Sequence, residues 1–174
     1  MPAQKIIPVS SYLLRVSILV VDPNPFMRSI VCSVLRLFGA HKIHEASDGS
    51  TATDEMKLFA PELIITEYAM APVSGVKLIQ EIRKAKVGHN PTIPIIMATA
   101  YSEVKNVVEA RDAGVNDFVF KPLSAHSLMK HVLNVVENPR PFVRADTYFG
   151  PDRRRAQKPL PGPERRIQAP TEPD

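Results

Sequence analysis

The chain has 174 residues, 44% of them hydrophobic and 23% charged, with a net charge of +4, one cysteine and no tryptophan. That length gives one domain a proper core with residues to spare, and it leaves no room for two full domains. A lone Cys32 excludes an internal disulfide, and no uncharged stretch is long enough to span a bilayer, so a cytoplasmic protein is expected.

Residues 1–14 read as an N-terminal extension, with a short apolar patch broken by Pro8 and no leader-like cleavage site. From residue 15 to 138 short apolar runs alternate with amphipathic stretches of helical length. The first run, "VSILVV", covers 16–21. Asn24-Pro25 then supplies a capping side chain and a proline preset for a first helical turn, followed by Phe26, Ile30, Val34 and Leu37 or Phe38 at helical spacing and Gly39 as a stop. Cys32 falls inside that pattern and is expected to be a buried, inert thiol. "KIHEA" at 42–46 is the second strand, and 49–59 the second helix. "ELIIT" at 62–66 is the third strand, and Ser74 is positioned to cap "GVKLIQEIRKAK". "IPIIMA" at 93–98, a helix expected to be capped by Ser102 and ended by Gly114, "DFVF" at 117–120 and a helix capped by Ser124 complete the series. Five βα units with apolar, doubly buried strands predict an α/β fold, a doubly wound five-stranded parallel sheet of flavodoxin-like type, whose functional crevice lies at the carboxyl ends of the strands.

Four polar residues follow or close those runs: Asp22, Glu67, Thr99 and Lys121. Solvent exposure at strand ends accounts for any one of them. Convergence of two carboxylates, a hydroxyl and an ammonium is the pattern of a site. Five histidines, at 41, 44, 89, 126 and 131, lack metal-ligand spacing with any second ligand type.

Through "ILVVDPNPFMR", "PELIITEYAMAPVSG", "PIIMATAY" and "DAGVNDFVFKPL", residues 15–138 resemble the receiver domain of two-component response regulators, of the chemotaxis-regulator type. The resemblance implies paired aspartates after the first strand, a phosphoacceptor aspartate after the third, Thr or Ser after the fourth and Lys-Pro after the fifth. This chain has Asp22-Pro23 in place of the pair and Glu67 in place of the acceptor. Pro23 has no side-chain oxygen, which removes a ligand from the Mg²⁺ site implied by the family, and a glutamate carries its carboxylate one methylene away from in-line geometry. The expectation is a degenerate pocket (Asp22, Pro23, Glu67, Thr99, Lys121), no required cofactor and no normal phosphorylation. Glu67 is expected to reach the Lys121 ammonium and the Thr99 hydroxyl, either as a permanent stand-in for a phosphoryl charge or as the remnant of a decayed site. Phe118 holds the place of a family aromatic that reports phosphorylation, or is plain core packing; Val104, Val108, His126 and Lys130 mark the usual partner face by resemblance.

The third segment, 139–174, carries 8 Lys+Arg against 5 Asp+Glu and 8 of the 17 prolines, and reads as a mostly disordered Pro/Arg-rich tail. It repeats a five-residue grammar: Gly150-Pro151-Asp152-Arg153-Arg154 recurs twelve residues later as Gly162-Pro163-Glu164-Arg165-Arg166. Paired guanidiniums give bidentate phosphate bonds and flat stacking faces, while a carboxylate can accept from a guanine edge. The segment also resembles the arginine-rich extension of receiver-like proteins of alphaproteobacteria that bind cyclic di-GMP and act at the flagellar motor. That resemblance implies Arg153, Arg154, Arg155, Arg165 and Arg166 as phosphate and guanine ligands, Asp152 and Glu164 on guanine edges, and Tyr148 as a stacking platform. An inert tail, or one binding nucleic acid or another polyanion, ranks behind it. The reading is therefore a non-catalytic signalling adaptor, with cyclic di-GMP as ligand and a protein partner at the flagellar motor or a histidine kinase. The alternative is a phosphorylatable single-domain regulator in a phosphorelay.

Overall fold

A computed structural model describes residues 11–88 and 90–153. Strands β1 (Ser17–Val21), β2 (Lys42–Ala46), β3 (Leu63–Thr66), β4 (Ile95–Thr99) and β5 (Asp117–Phe120) form one sheet in the order β2-β1-β3-β4-β5. Every pairing in it is parallel. The connecting helices are α1 (Pro25–Leu37), α2 (Gly49–Leu58), α3 (Gly75–Arg83), α4 (Val104–Ala113) and α5 (Ala125–Glu137).

The unbroken apolar runs follow from burial on both faces. Along β1, Ile18 and Val20 point into a core with Val31, Cys32 and Leu35 of α1 and Leu128, Met129 and Val132 of α5. Leu19 and Val21 point the other way, toward Ala52 and Met56 of α2, Ile79 and Ile82 of α3, and Ala110 of α4. Charged side chains along β1 or β3 would be costly in either layer, so the first ionisable residues, Asp22 and Glu67, fall directly after the strands.

Local signals set the helix starts. Asn24 Oδ1 accepts from the Phe26 and Met27 amides, Asp48 closes a capping box with Thr51, and Ser74 and Ser124 accept from Lys77 and Ser127. Ser102 does not cap α4, because its amide donates to the Ala100 carbonyl in a tight turn and the helix begins one residue later, with Glu103 at the cap position and no side-chain cap bond. α3 stops at Arg83, short of the Lys86 expected from composition, since Ala85 turns left-handed at φ 55°.

The segment after α5 departs from the expected disordered tail. β6 (Phe142–Ala145) and β7 (Tyr148–Pro151) form an antiparallel hairpin, with Phe142 opposite Pro151 and Ala145 opposite Tyr148. Two short aromatic and β-branched runs around Asp146-Thr147 were the hairpin signal, outweighed in composition by the prolines that flank it. The hairpin docks on the receiver where α4 ends. Gly114, left-handed at φ 102°, lies against the hairpin backbone: a Cβ there would meet the Phe149 carbonyl at 3.1 Å. Opposite it, a Cβ on Gly150 would meet Gly114 Cα at 3.0 Å and run into the Tyr148 hydroxyl. Close backbone approach at this contact needs glycine on both sides.

Arg83 fixes the same junction from beneath. It is 5% exposed and donates from Nε to the Gly114 carbonyl, from one terminal nitrogen to the Pro91 and Ile93 carbonyls, and from the other to Asn116 Oδ1. Its guanidinium also lies 4.9 Å from the centre of the Phe142 ring. Burial pushes its pKa down to about 9, which leaves it charged at neutral pH.

Candidate functional site

At the carboxyl edge of the sheet, the ends of β1, β3 and β5 bring three ionisable side chains together. Lys121 Nζ donates to Asp22 Oδ2 and to Glu67 Oε2, at 2.6 Å each. The side chains are largely enclosed, at 14% exposure for Lys121, 7% for Asp22 and 8% for Glu67. Each carboxylate is held a second time by backbone: the Asn24 amide donates to Asp22 Oδ1 at 2.8 Å, and the Tyr68 amide to Glu67 Oε1 at 2.6 Å. Arg28 adds a donor to the Asp22 carbonyl at 2.6 Å. The two acids and one ammonium carry a net charge of −1, with Arg28 alongside.

Burial is the largest single influence on Lys121 and acts to lower its pKa, but the hydrogen bonds and charges of Asp22 and Glu67 outweigh it and hold the pKa above the usual lysine value. The ammonium is thus a fixed cation at neutral pH.

Of the residues expected in this pocket, Asp22, Glu67 and Lys121 meet. Thr99 is buried at the end of β4, but its Oγ1 accepts from the Tyr101 amide at 3.1 Å, and both Glu67 oxygens bond elsewhere. The expected Glu67–Thr99 bond is therefore replaced by a turn bond, because the threonine satisfies the start of the loop after its own strand. Pro23 is exposed and brings no side-chain oxygen, and Asn24 is committed to capping α1.

Tyr68 is a residue that reading the strand ends overlooked. Its amide holds Glu67, while its hydroxyl donates to Glu109 Oε2 at 2.6 Å and lies 3.3 Å from Asn106 Oδ1, both on α4. The bond to Glu109 is the main cause that pushes the Tyr68 pKa up to about 12. One residue thus links the pocket, through its amide, to α4, through its hydroxyl, and its place directly after Glu67 was the available signal. On the outer side of α4 and β5, Val104, Val108, Tyr101 and Phe120 are exposed apolar residues beside exposed His126 and Lys130. Phe118 is half-buried and stacks on Phe120 with ring centres 6.2 Å apart.

In the C-terminal segment, the Tyr148 ring carries the Arg153 guanidinium on one face, 3.7 Å from its centre, and its hydroxyl donates to the Pro151 carbonyl at 2.8 Å. Arg153 also pairs with Asp112 of α4 at 3.0 Å. The Asp152 amide donates to the Pro141 carbonyl at 2.8 Å. Gly150-Pro151, which opens the first copy of the repeated grammar, is buried and ends β7. Arg154, Arg155, Glu164, Arg165 and Arg166 lie outside the described residues.

A parallel sheet of order 2-1-3-4-5 with acids after its first and third strands and a lysine after its fifth is the arrangement of a signal-receiving domain. Residues 18–133 match the response regulator receiver domain, and the chain belongs to that family. It is 32% identical over 124 residues to chemotaxis protein CheY-3 of Vibrio cholerae serotype O1, covering 71% of this chain and 93% of that one. Identity to chemotaxis protein CheY of Pseudomonas aeruginosa is 31% over 121 residues, covering 69% and 95%. The CheX-CheY-BeF3-Mg²⁺ complex from Borrelia burgdorferi shares the fold, with a TM-score of 0.64 at 20% identity, covering 70% of this chain and 89% of that one. The chain is accordingly a response-regulator receiver of two-component signalling, built on the CheY-like plan.

Proposed function

We propose that this receiver signals without aspartyl phosphorylation, as a non-catalytic adaptor that binds cyclic di-GMP through its arginine-rich C-terminal segment and a protein through the α4–β5–α5 face. The observation that carries the first half is Lys121 clamped at 2.6 Å by Asp22 and by Glu67, the residue in the acceptor position. The pocket already holds a carboxylate against the lysine, and neither acid has an oxygen without a donor.

Magnesium fits this donor set poorly. Mg²⁺ demands near-octahedral oxygen geometry, whereas Pro23 supplies no side-chain oxygen, both carboxylates are engaged by an ammonium, and no cluster of three His, Cys, Asp or Glu residues capable of holding a metal exists among the described residues. No catalytic step is therefore assigned to a metal. Retained Asp22, Thr99 and Lys121 favour a second reading, a regulator that still accepts phosphate in a phosphorelay.

The second half rests on the repeated Gly-Pro-acid-Arg-Arg grammar and on Arg153, which already stacks on an aromatic ring as a base would. The exposed apolar residues of α4 and β5 support the protein contact, and in the Borrelia complex a CheY pairs with CheX. No described helix is long and apolar enough to cross a membrane. We assign the adaptor to the cytoplasm, with its partner at the flagellar motor or a histidine kinase.

Calorimetric titration of cyclic di-GMP at two salt concentrations tests the ligand. The full chain should bind with little salt dependence, and a chain ending at Arg153, stripped of the distal arginine pairs, should bind far more weakly. Equal binding by both chains would remove the distal arginines from the site; no binding by either would sink the cyclic di-GMP reading.

A further inference from the structure

Between α4, the start of β5 and the hairpin lies an open cavity of about 310 Å³. Its lining is cationic and aromatic: Arg111 comes from α4, Arg140 from the entry to β6, Arg153 from just past β7, and Tyr148 and Phe118 contribute rings. Among the described residues Asp117 is the one carboxylate in the wall, held by His131 Nδ1 at 2.8 Å, and Asp112 just outside it pairs with Arg111 at 3.4 Å and with Arg153 at 3.0 Å. Neither the receiver nor the hairpin forms this cavity alone. Arg111, Asp117 and Phe118 belong to the first, Arg140, Tyr148 and Arg153 to the second.

We infer that this cavity seats one base-and-phosphate half of a guanine nucleotide, with Arg111 and Arg140 as phosphate partners. The inference rests on the nucleotide reading above and adds that the receiver itself supplies part of the ligand shell. Three guanidiniums around one concavity favour a phosphate, because their planar forks bond its oxygens in pairs. The Arg153 guanidinium, stacked on Tyr148, presents its outer plane to a base, extending the ring–guanidinium stack by one layer. Asp117, whose Oδ1 accepts from the Phe118 amide at 2.9 Å and whose Oδ2 is held by His131, would turn its remaining lone pairs to the amino and imino edge that distinguishes guanine from the other bases. At about 310 Å³ the cavity stands at the small end of ligand sites, which suits one nucleotide half and leaves the rest of a dinucleotide to groups outside it. A ligand seated here would brace the hairpin against α4 and β5, beside the exposed apolar face, so occupancy and partner binding would be coupled.

The test is amide-resolved NMR titration of the full chain with cyclic di-GMP and, separately, with 5′-GMP, repeated on Arg111→Ala, Arg140→Ala and Arg36→Ala. Arg36 is exposed on α1, in the opposite layer, and controls for loss of one positive charge. Shifts should gather at residues 107–118 and 140–153, and Arg111→Ala and Arg140→Ala should each weaken binding about 10- to 100-fold while Arg36→Ala changes it little. Cyclic di-GMP binding left unchanged by Arg111→Ala and Arg140→Ala would overturn the cavity and leave the tail reading standing. If GMP moves the cavity amides and cyclic di-GMP does not, the cavity is upheld as a mononucleotide seat and the cyclic di-GMP reading fails. No shift at the cavity with either nucleotide overturns the inference.

Discussion

A Lys121→Met chain should be less stable than the wild type by about 3–5 kcal/mol at neutral pH, the usual cost of stripping one partner from a buried ionic group. Both carboxylates that Lys121 serves are less than a tenth exposed, and they would face each other with only backbone amides to hold them. The pH dependence has a definite sign. The pKa of Lys121 in the folded chain lies above its ordinary value of 10.5, so the stability it contributes is complete below that value and is lost as pH rises through the higher folded one. Urea unfolding should therefore show a wide gap between wild type and variant at pH 7 that narrows only in strong alkali. Adding Asp22→Asn and Glu67→Gln to the variant should recover much of the loss, because the orphaned charges go with the lysine. A gap at pH 7 below about 1 kcal/mol would mean that the triad behaves as a solvated surface pair.

Arg83→Met should cost about 3 kcal/mol, and its effect should fall first on the hairpin. The substitution keeps a long apolar stem but leaves the Gly114, Pro91 and Ile93 carbonyls without their donor and removes the cation from the Phe142 ring. Relief of the charge's burial offsets part of that loss, which keeps the expected figure below the sum of the separate bonds. Limited proteolysis should cut residues 140–153 in the variant before the receiver core opens, whereas the wild type should resist there. Stability within about 0.5 kcal/mol of wild type, with an uncut hairpin, would show that the glycine contact alone holds the junction.

The contrast between these two residues shows what a sequence makes legible. Lys121 follows an apolar run and precedes a proline, so its place at the carboxyl edge of the sheet could be read from position alone, as could those of Asp22 and Glu67 after their own strands. Caps at Asn24, Ser74 and Ser124 were equally local, because each side chain bonds an amide two or three residues away. Arg83 gave no such sign. In "QEIRKAK" it reads as one more exposed base on an amphipathic helix, and only the fold brings the Gly114 and Ile93 carbonyls to it. The hairpin was obscured for a related reason: its strands are short, and its stability comes from glycine contact and cation–aromatic stacking with residues far away in the chain. Thr99 was placed correctly and bonded differently, since a hydroxyl at a strand end takes the nearest amide.

The account turns on a pocket in which an internal carboxylate already neutralises the lysine. The most direct measurement is intact mass after incubation with acetyl phosphate and Mg²⁺, run on the wild type and on a Pro23→Asp/Glu67→Asp double variant. The account predicts no phosphoryl increment on the wild type and its appearance on the variant, where the second acid and the shorter acceptor are restored. A phosphoryl increment on the wild type, abolished by Glu67→Gln, would contradict it and make the chain a working phosphoacceptor.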